Sequence, residues 1–299
     1  MSILTRTEGA HSTSGAAGRR PRTSASGVAA GAFMILVACY MLLPVYWLLV
    51  SSTKSQGDLV STPGLLPAEW HFGDNLAALF EQQDGVFARW LLNSLLYAGL
   101  GAAVATLLAA AAGYALAKYT FRGREAIFSV VLGGVLVPAT ALALPLFLLF
   151  AEVDATNSFW SVFLPSVVSP FGVYLSRIFA AASVPDEVME AARMDGASEF
   201  RIFRTIALRL MAPALVTIFL FQFVVIWNNF LLPLIMLQDE HLYPVTLGLF
   251  TWQSQTSRLP DLQTLTIVGA LVSVVPIVLT FLLLQRYWRA GLAAGAVKS

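Results

Sequence analysis

The stretch PDEVMEAARMDGASEFRIFRTIALRLMAP, residues 185–213, is the longest charged, helix-forming segment of the chain, and apolar blocks flank it on both sides. Strong helix formers, with acidic residues in the opening turn, predict a helix over Asp186–Met194. Ser183 and Asp186 fit the S-x-x-D capping pattern at its start, and Gly196 provides the left-handed conformation that ends a helix. The stretch therefore begins as a short helix that stops at a tight turn.

The second half of the stretch predicts another helix, whose start Ser198 caps with its side-chain oxygen. Apolar residues recur at helical spacing on one face of this helix, and they are Phe200, Phe203, Ala207 and Leu210. Such a face on a charged segment is typical of a helix that lies along a membrane surface. We refer to residues 183–210 as the knuckle, because the pattern predicts two short helices joined at a glycine.

The composition of the whole chain places it in a membrane. Hydrophobic residues make up 58% of its 299 residues, charged residues only 12%, and the mean hydropathy is +0.74. A soluble domain carries about 25% charged residues, so these values predict an integral membrane protein. The single cysteine, Cys39, excludes an internal disulfide, and the scattered His11, His71 and His241 offer no zinc-binding spacing.

Six apolar runs reach the length of about 20 residues that a bilayer core requires. They cover roughly residues 28–50, 91–117, 126–150, 159–181, 212–237 and 265–284. Prolines within the third and fourth runs indicate kinked helices in a packed bundle. Residues 1–27, rich in Ser, Gly and Arg, predict a disordered cytoplasmic tail rather than a cleaved signal peptide, because the apolar run that follows is too long and lacks a cleavage site.

The distribution of basic residues predicts the orientation of the six spans. All but three of the eighteen Lys and Arg residues fall on one side, the exceptions being Lys54, Arg89 and Arg258. By the positive-inside rule both termini and the knuckle are cytoplasmic. The periplasmic loops are then about residues 53–89, 151–158 and 238–263. Residues 28–299 form one six-helix transmembrane domain in this interpretation.

The chain lacks the residues that would supply energy or catalysis. No ionisable side chain lies near the centre of any predicted span, whereas carriers driven by ion gradients usually need one. No G-x-x-x-x-G-K-[ST] loop is present to hold ATP phosphates, and no catalytic triad or carboxylate pair is credible. These absences argue against an enzyme. A stand-alone channel or gradient-driven carrier and a purely structural membrane scaffold remain as alternatives.

Neutral polar residues inside the predicted spans are candidates for a solute path. They are Gln222, Trp227, Asn228 and Asn229 in the fifth span and Asn93 and Ser94 in the second. Amides beside an indole suit a neutral polar solute, because they bond hydroxyl groups while the ring stacks on a sugar. The alternative is that these side chains bond neighbouring helices to each other. Two adjacent amides, Asn228 and Asn229, cannot both face one neighbouring helix.

Several motifs carry a resemblance to a known family. The segment EAARMDGAS, residues 190–198, followed by Ile206 and Leu208, resembles the EAA loop of bacterial ABC importer permeases. Arg209 departs from the family pattern, which has proline there, and we expect it to relax a bend at the end of the knuckle and to reach the lipid headgroups.

Four further segments are similar to sugar-transport permeases of the maltose type. They are NSLLYAG (93–99), AGYALAKYTFRGR (112–124), WNNFLLPL (227–234) and QRYWRAGLAAGAVKS (285–299). The resemblance extends from about residue 28 to the end. It implies an all-α type I ABC importer fold with six transmembrane helices and a cytoplasmic coupling helix at the EAA loop.

The resemblance also implies partners and residue roles. Residues that it assigns to coupling with a separate ATPase are Glu190, Ala191, Ala192, Asp195, Gly196 and Ser198. Glu190 would pair with a basic residue of the ATPase, whose homodimer or heterodimer binds ATP and magnesium, while this chain binds no cofactor or metal. A homologous second permease, a solute-binding protein, a sugar and the lipid bilayer are the other implied partners, and no nucleic acid is. The terminal segment would also reach the ATPase, and the loop with Trp252 and Gln253 would contact the solute-binding protein. Disaccharides, oligosaccharides, polyols and glycerol phosphodiester-like solutes all remain possible.

Overall fold

The computed structural model describes residues 25–296, and every regular element in that range is helical. The helices are α1 (Ala25–Ser52), α2 (Gln56–Ser61), α3 (Phe72–Glu81), α4 (Val86–Leu95), α5 (Gly101–Lys118), α6 (Arg124–Leu136), α7 (Ala139–Glu152), α8 (Phe159–Ser166), α9 (Pro170–Ser183), α10 (Asp186–Met194), α11 (Glu199–Ile202), α12 (Leu208–Leu210), α13 (Ala212–Trp227), α14 (Leu231–Met236), α15 (Val245–Gln255) and α16 (Leu262–Ala296). Short 3₁₀ turns occur at Gln82–Gly85 and Glu240–Leu242, and π-helical turns at Leu96–Leu100 and Phe203–Ala207.

The chain divides into two compact units, with the boundary inside α1 between Trp47 and Leu48. The described part of the first unit is the apolar helix α1 up to Trp47, and the second unit contains the remaining helices. The predicted tail of residues 1–27 lies outside the described residues as far as residue 24, and residues 25–27 are already helical. The last three residues of the chain also lie outside the described range.

The predicted all-α membrane fold is confirmed. Between residues 25 and 296, four helical stretches are long and apolar enough to cross a membrane, and they are Ala29–Ser52, Phe72–Lys118, Phe159–Ser183 and Leu262–Gln285. Two bent pairs, Arg124–Leu136 with Ala139–Glu152 and Glu199–Leu210 with Ala212–Trp227, raise the number of candidate spans to six if each pair is one span.

The third predicted span is not a single helix. α6 ends at Leu136 and α7 begins at Ala139, and the two meet at an angle of 102°. Val137 is extended, with φ −78° and ψ 120°, because the ring of the following Pro138 disfavours a helical conformation at that position. Pro138 itself lacks the N–H that would continue the helix. The kink expected from the prolines of this run is confirmed, and it lies at Val137 and Pro138.

The fifth predicted span ends earlier than expected. α13 stops at Trp227, and α14 begins only at Leu231, so the apolar run of residues 212–237 is divided into two helices. Asn228 occupies the capping position, and its side-chain amide donates to the Val224 carbonyl at 2.8 Å. A side chain that bonds a backbone carbonyl in this way competes with the helix itself, which accounts for the early end.

Helices α5 and α9 approach each other so closely that their contact has no room for a side chain at Gly113. A Cβ atom added at Gly113 would stand 2.4 Å from the Ser176 Cβ and 2.6 Å from the Arg177 backbone nitrogen. Gly172 on α9 faces Ala109 on α5 in a similar contact. Small residues at such positions let two backbones pack directly in a membrane, where dispersion contacts rather than burial from water hold helices together.

The second unit contains two buried apolar clusters. One is centred on Trp90 and Trp252, whose ring centroids are 4.7 Å apart, and Gly248 gives the Trp90 ring its space. The other, which we call the base cluster, lies under the knuckle, and its buried members are Tyr114, Ala180, Val184, Met189, Ile202, Ala207 and Met211. Residues of α5, α9, α10 and α11 thus share one small core.

Replacement of Gly113 by alanine tests the close contact between α5 and α9. We expect Gly113→Ala to destabilise the protein by about 1–3 kcal/mol, because the added methyl group overlaps the α9 backbone. Thermal unfolding of the purified transporter in detergent measures the change. Gly73→Ala is the matched control, since Gly73 is an exposed helical residue with no atom near the added methyl group. Equal stability of the two variants would contradict the packing argument.

Candidate functional site

The first helix of the knuckle has the predicted bounds, Asp186–Met194, but not the predicted cap. Ser183 is the last residue of α9, where the Val184 N–H still donates to the Ala180 carbonyl at 3.2 Å. Pro185 occupies the capping position of α10 and provides no side-chain bond. The predicted cap at Ser183 is wrong because α9 continues through that residue. Acidic residues do occupy the first turn of α10, as predicted.

The turn between the two knuckle helices has the geometry that the sequence predicts. Gly196 has φ +77°, and its N–H donates to the Arg193 carbonyl at 3.0 Å. The Ala197 N–H donates to the Ala192 carbonyl at 3.0 Å, which completes a Schellman motif. The Ser198 hydroxyl then accepts from the Arg201 N–H at 3.4 Å and caps α11. The glycine turn and the second cap are confirmed.

The buried face of the second knuckle helix differs from the predicted one. Ala207 is buried and Phe203 is half-buried, whereas Phe200 and Leu210 are exposed, and Ile202 is fully buried instead. The π-helical turn at residues 203–207 adds a residue and rotates the side chains after it, which accounts for the exposed Leu210. Phe200 and Ile202 precede this turn, and there the base cluster contains Ile202 in place of Phe200. The second helix therefore packs on the base cluster rather than presenting the predicted apolar stripe.

The outer face of the knuckle is exposed and partly apolar. Of the residues assigned to coupling, only Ala192 is half-buried, and the exposed ones are Glu190, Ala191, Asp195, Gly196 and Ser198. Two large apolar side chains lie beside them, since Met194 is 88% exposed and Phe200 is 71% exposed. Apolar side chains that stand in solvent next to a rigid turn are typical of a protein interaction site.

Polar contacts tie the base of the knuckle to the end of α5. Lys118 donates from its Nζ to an Asp186 carboxylate oxygen at 2.8 Å. Tyr119, immediately after α5, donates its hydroxyl to Glu199 Oε2 at 2.7 Å, and Arg193 Nε donates to Glu199 Oε1 at 2.7 Å. We call Tyr119, Arg193 and Glu199 the Glu199 cluster.

The titration of the Glu199 cluster follows from these bonds. The hydrogen bonds from Arg193 and then from Tyr119 lower the pKa of the Glu199 carboxyl, so it stays ionised at neutral pH. Burial, followed by the bond to Glu199, raises the pKa of the Tyr119 hydroxyl, which remains protonated and acts as the donor.

The end of the knuckle has a sharp bend although Arg209 stands where the family pattern has proline. The segment Glu199–Leu210 meets α13 at an angle of 80°. Met211 lies at the bend and is fully buried in the base cluster, while Pro213 starts α13 at a position where its missing N–H is tolerated. Arg209 is exposed. The bend thus depends on Met211 and Pro213, and a proline at residue 209 is not needed for it.

Three of the polar candidates in the spans bond other helices or loops. Gln222 donates its amide to the Ser166 carbonyl at 3.0 Å and accepts from the Ser169 hydroxyl at 2.9 Å, which bridges the break between α8 and α9. Asn93 donates to the carbonyls of His241 and Tyr243 at 2.8 and 3.0 Å. These contacts favour the second alternative for Gln222 and Asn93, in which the amides bond neighbouring parts of the protein to each other.

Ser94 anchors the same loop from the neighbouring position. Its hydroxyl is buried and accepts from the Val245 N–H at 2.8 Å, at the start of α15. Trp90 and Tyr97 donate to the carbonyls of Glu240 and Leu242 at 2.8 and 3.2 Å. The segment from residue 240 to residue 245 therefore lies along α4 and the turn after it, and α15 packs inward with Trp252 buried, while Gln253 is exposed.

The remaining candidates surround the break after α13. Trp227 is buried and stacks on Phe223, with ring centroids 5.6 Å apart. Asn228 is exposed, and its side chain bonds only the Val224 carbonyl of its own helix. Asn229 is half-buried, and its backbone carbonyl accepts from the Thr246 hydroxyl at 3.1 Å. The two adjacent amides thus differ from Gln222 and Asn93, because their side chains bridge no other helix among the described residues.

Two basic residues have roles that the sequence did not reveal. Arg177 lies within α9, not in a loop, and pairs with Glu125 at 2.8 Å while its guanidinium lies 3.8 Å from the Phe128 ring centroid. Lys54 is fully buried and donates to the Thr62 hydroxyl at 2.9 Å and the Pro63 carbonyl at 2.8 Å. The signal that could have indicated the Arg177–Glu125 pair is an acidic residue at the start of one span and a basic residue near the same side of another.

Comparison with known proteins identifies the class to which this arrangement belongs. The family described as "Binding-protein-dependent transport system inner membrane component" matches residues 105–292. The arabinooligosaccharides transport system permease protein AraQ of Bacillus subtilis (strain 168) is 34% identical over 282 residues, which cover 93% of this chain and 98% of AraQ. The lactose transport system permease protein LacG of Rhizobium radiobacter is 30% identical over 88% of this chain and 93% of LacG.

A crystal structure supports the fold. It is that of a bacterial ABC transporter involved in the import of the acidic polysaccharide alginate, and one of its chains superposes with a TM-score of 0.78 at 21% identity, covering 90% of this chain and 100% of that chain. The molecule is thus a multi-pass membrane permease with the type I ABC importer fold.

The chain belongs to the family of binding-protein-dependent transport system inner membrane components. It is a transport subunit and not an enzyme, and ATP hydrolysis is carried out by a separate subunit. A second permease, an ATPase and a solute-binding protein are its partners in general terms. Among residues 25–296, no cluster of three or more His, Cys, Asp or Glu side chains is placed to hold a metal ion.

The contacts of Gln222 predict a structural role that stability measurements will reveal. We expect Gln222→Leu to lower the stability by about 1 kcal/mol, because it removes two bonds across the α8–α9 break. We expect Asn228→Ala to lower the stability by less, since among the described residues the Asn228 amide bonds its own helix alone. Thermal unfolding of the two purified variants gives the comparison, and an equal or larger loss in Asn228→Ala would contradict this assignment.

Proposed function

We propose that the chain is the permease subunit of an ATP-driven carbohydrate importer and that the knuckle transmits the movement of the ATPase. The names of the two relatives support a sugar substrate, because they refer to arabinooligosaccharides and to lactose. The permease forms the solute path together with a homologous second permease, while ATP and magnesium are bound by the ATPase.

The exposed face of the knuckle is the observation that carries this proposal. Glu190 and Ala191 stand in solvent on α10, next to the fixed turn at Gly196. A carboxylate that pairs with a basic residue, beside a small side chain that permits close approach, suits docking into a cleft of another protein. The base of the same element is buried against α5 and α9, so a displacement of the docked face reaches the membrane helices. Rocking of these helices between inward-open and outward-open states is a hinge-type transition.

The proposed orientation places both termini and the knuckle in the cytoplasm. The positive-inside distribution of Lys and Arg supports it. The Glu199 cluster and the Arg177–Glu125 pair then lie at the cytoplasmic ends of their helices, where charged side chains reach water or headgroups. The loop held by Asn93 and Ser94 lies on the opposite, periplasmic side, and its exposed parts face the solute-binding protein.

We further propose that Asn228 and Asn229 line the solute path. The helix ends beside them and leaves amides without a bridging partner in the described residues, next to the buried indole of Trp227. Amide groups at a helix break bond the hydroxyl groups of a neutral sugar without the cost of a buried charge. Gln222, Asn93 and Ser94 have an indirect role in this proposal. Their hydrogen bonds fix the positions of the helices and the loop around the path.

Two knuckle variants test the coupling role. We expect Glu190→Ala and Gly196→Val each to reduce ATP-dependent uptake at least about tenfold, because the first removes the docking charge and the second strains a residue at φ +77°. Uptake by vesicles that contain the complete transporter is the measurement. Glu81→Ala, a change of an exposed acidic residue at the end of α3, is the control and should transport normally.

Three outcomes would count against the coupling role. Normal uptake in both knuckle variants would rule it out. Uptake that persists after removal of the ATPase would instead favour a stand-alone channel. Loss of uptake on dissipation of ion gradients, with ATP still present, would favour a gradient-driven carrier.

The double variant Asn228→Ala with Asn229→Ala tests the solute path. We expect uptake to fall about tenfold or more while the permease still assembles with its partners, because the two amides that would bond the solute are removed and neither side chain bridges to a second helix among the described residues. Co-purification of the subunits checks the assembly, and an uptake screen over neutral and anionic saccharides identifies the solute. Unchanged uptake of the transported sugar would assign these amides to helix packing.

A further inference from the structure

The carboxylate of Glu199 joins three separate segments of the chain. Its Oε2 accepts from the Tyr119 hydroxyl at 2.7 Å and from Arg193 Nη2 at 3.2 Å, and its Oε1 accepts from Arg193 Nε at 2.7 Å. Arg193 lies in the last turn of α10, Glu199 in the first turn of α11, and Tyr119 follows directly after α5. The carboxylate thus bridges the two knuckle helices across the Gly196 turn and bonds both of them to a membrane helix.

A second polar contact binds the knuckle at its other end. Lys118, the residue before Tyr119, donates to Asp186 at the start of α10 at 2.8 Å, and its side chain is only 6% exposed. Tyr114, one turn earlier on α5, lies between these contacts, with its ring 5.2 Å from Phe203 and 5.7 Å from Tyr119. The end of α5 is therefore held by α10 through one residue and by α11 through the next.

The bonds between the knuckle and the end of α5 matter because the chain does not connect these two elements directly. The knuckle continues directly into α9 through Val184 and Pro185, and into α13 through Met211, whereas α5 is not its neighbour in sequence. Any displacement of the knuckle must reach α5 through non-covalent contacts alone. Bidentate, charge-assisted bonds fix an angle as well as a distance, which apolar contacts at the same place do not.

We propose that Glu199 is a positioning residue of the transport cycle, which makes the two knuckle helices move as one body and carries α5 with them. The inference rests on the proposed function of the knuckle in coupling. Without the carboxylate, the turn at Gly196 bends under force, and part of the ATPase movement is lost before it reaches α5. The expected consequence is ATP hydrolysis that is no longer matched by transport.

Conservative substitutions test this inference in the complete transporter reconstituted in vesicles. Tyr119→Phe removes only the hydroxyl, and Glu199→Gln keeps the shape but removes the charge. We expect each variant to raise the number of ATP molecules hydrolysed per sugar transported at least about fivefold, with the ATPase still bound. Tyr174→Phe is the matched control, because Tyr174 on α9 stacks its ring on Phe128 while its hydroxyl bonds no described residue.

The double variant distinguishes a shared bond from two independent effects. If Tyr119 and Glu199 act through one hydrogen bond, the combination should be no worse than the more severe single variant. An unchanged ratio of ATP to sugar in Tyr119→Phe would overturn the inference, and so would additive effects of the two changes. Loss of ATPase co-purification in Glu199→Gln would also overturn it, because Glu199 would then belong to the docking face.

The knuckle variants separate this inference from the proposed function on which it rests. If Glu190→Ala abolishes uptake while Tyr119→Phe and Glu199→Gln keep the normal ratio, coupling through the knuckle stands and only the positioning role of Glu199 fails. If Glu190→Ala and Gly196→Val also transport normally, the knuckle does not couple, and the inference fails with it.

Discussion

The direct contact between α5 and α9 is the constraint on which the arrangement of the functional residues depends. Gly113 allows the α9 backbone at Ser176 and Arg177 to lie against α5, closer than any side chain would permit. Tyr114, the residue after Gly113, belongs to the same buried cluster as Ala180 and Val184, so the base cluster forms where α9 leads into the knuckle. Because helices in lipid gain little from the hydrophobic effect, such close packing is what fixes their relative position.

A second constraint is that the backbone groups of broken helices in a membrane must find partners within the protein. The break between α8 and α9 leaves the Ser166 carbonyl free to accept from Gln222. At the start of α15, the Val245 N–H finds the Ser94 hydroxyl. Asn157, which follows α7, accepts from the backbone N–H groups of Gln238 and Asp239 at 2.8 and 2.9 Å. These polar side chains thus bond backbone groups where a helix is interrupted. Asn228 and Asn229 differ, because among the described residues their side chains bond no second helix or loop.

The sequence predicts what depends on local chemistry and fails where packing decides. Apolar runs of spanning length, the left-handed glycine at residue 196 and the Ser198 cap follow from propensities of a few residues, and the structure confirms them. The predicted cap at Ser183 was wrong because α9 continues through that residue, and the predicted face of the second knuckle helix was wrong at Leu210 because the π-helical turn before it shifts the phase of the helix. No pattern in one sequence relates Tyr119 to Glu199, since 80 residues separate them and only the α5–α9 contact brings them together. The same applies to the bonds of Asn93 with residues about 150 positions away.

The knuckle is connected to three membrane helices, α9, α13 and α5, and these connections differ in how strongly they resist bending. Two extended residues, Val184 and Pro185, connect the knuckle to α9. A connection this short passes a displacement on to α9, but single bonds outside a helix pass on little rotation. Toward α13 the knuckle has an 80° bend at Met211, which is fully buried, so rotation there must move the base cluster with it. Toward α5 it has the polar bonds of Lys118 and Tyr119, which resist a change of angle. The acidic partners of these bonds are open to solvent, since the side chains of Asp186 and Glu199 are 74% and 49% exposed. Contacts to such solvated carboxylates contribute about 0–1 kcal/mol to stability, so these bonds are poorly explained as a source of folding energy. Their geometry is better explained by the need to make α5 follow a force that enters the chain elsewhere.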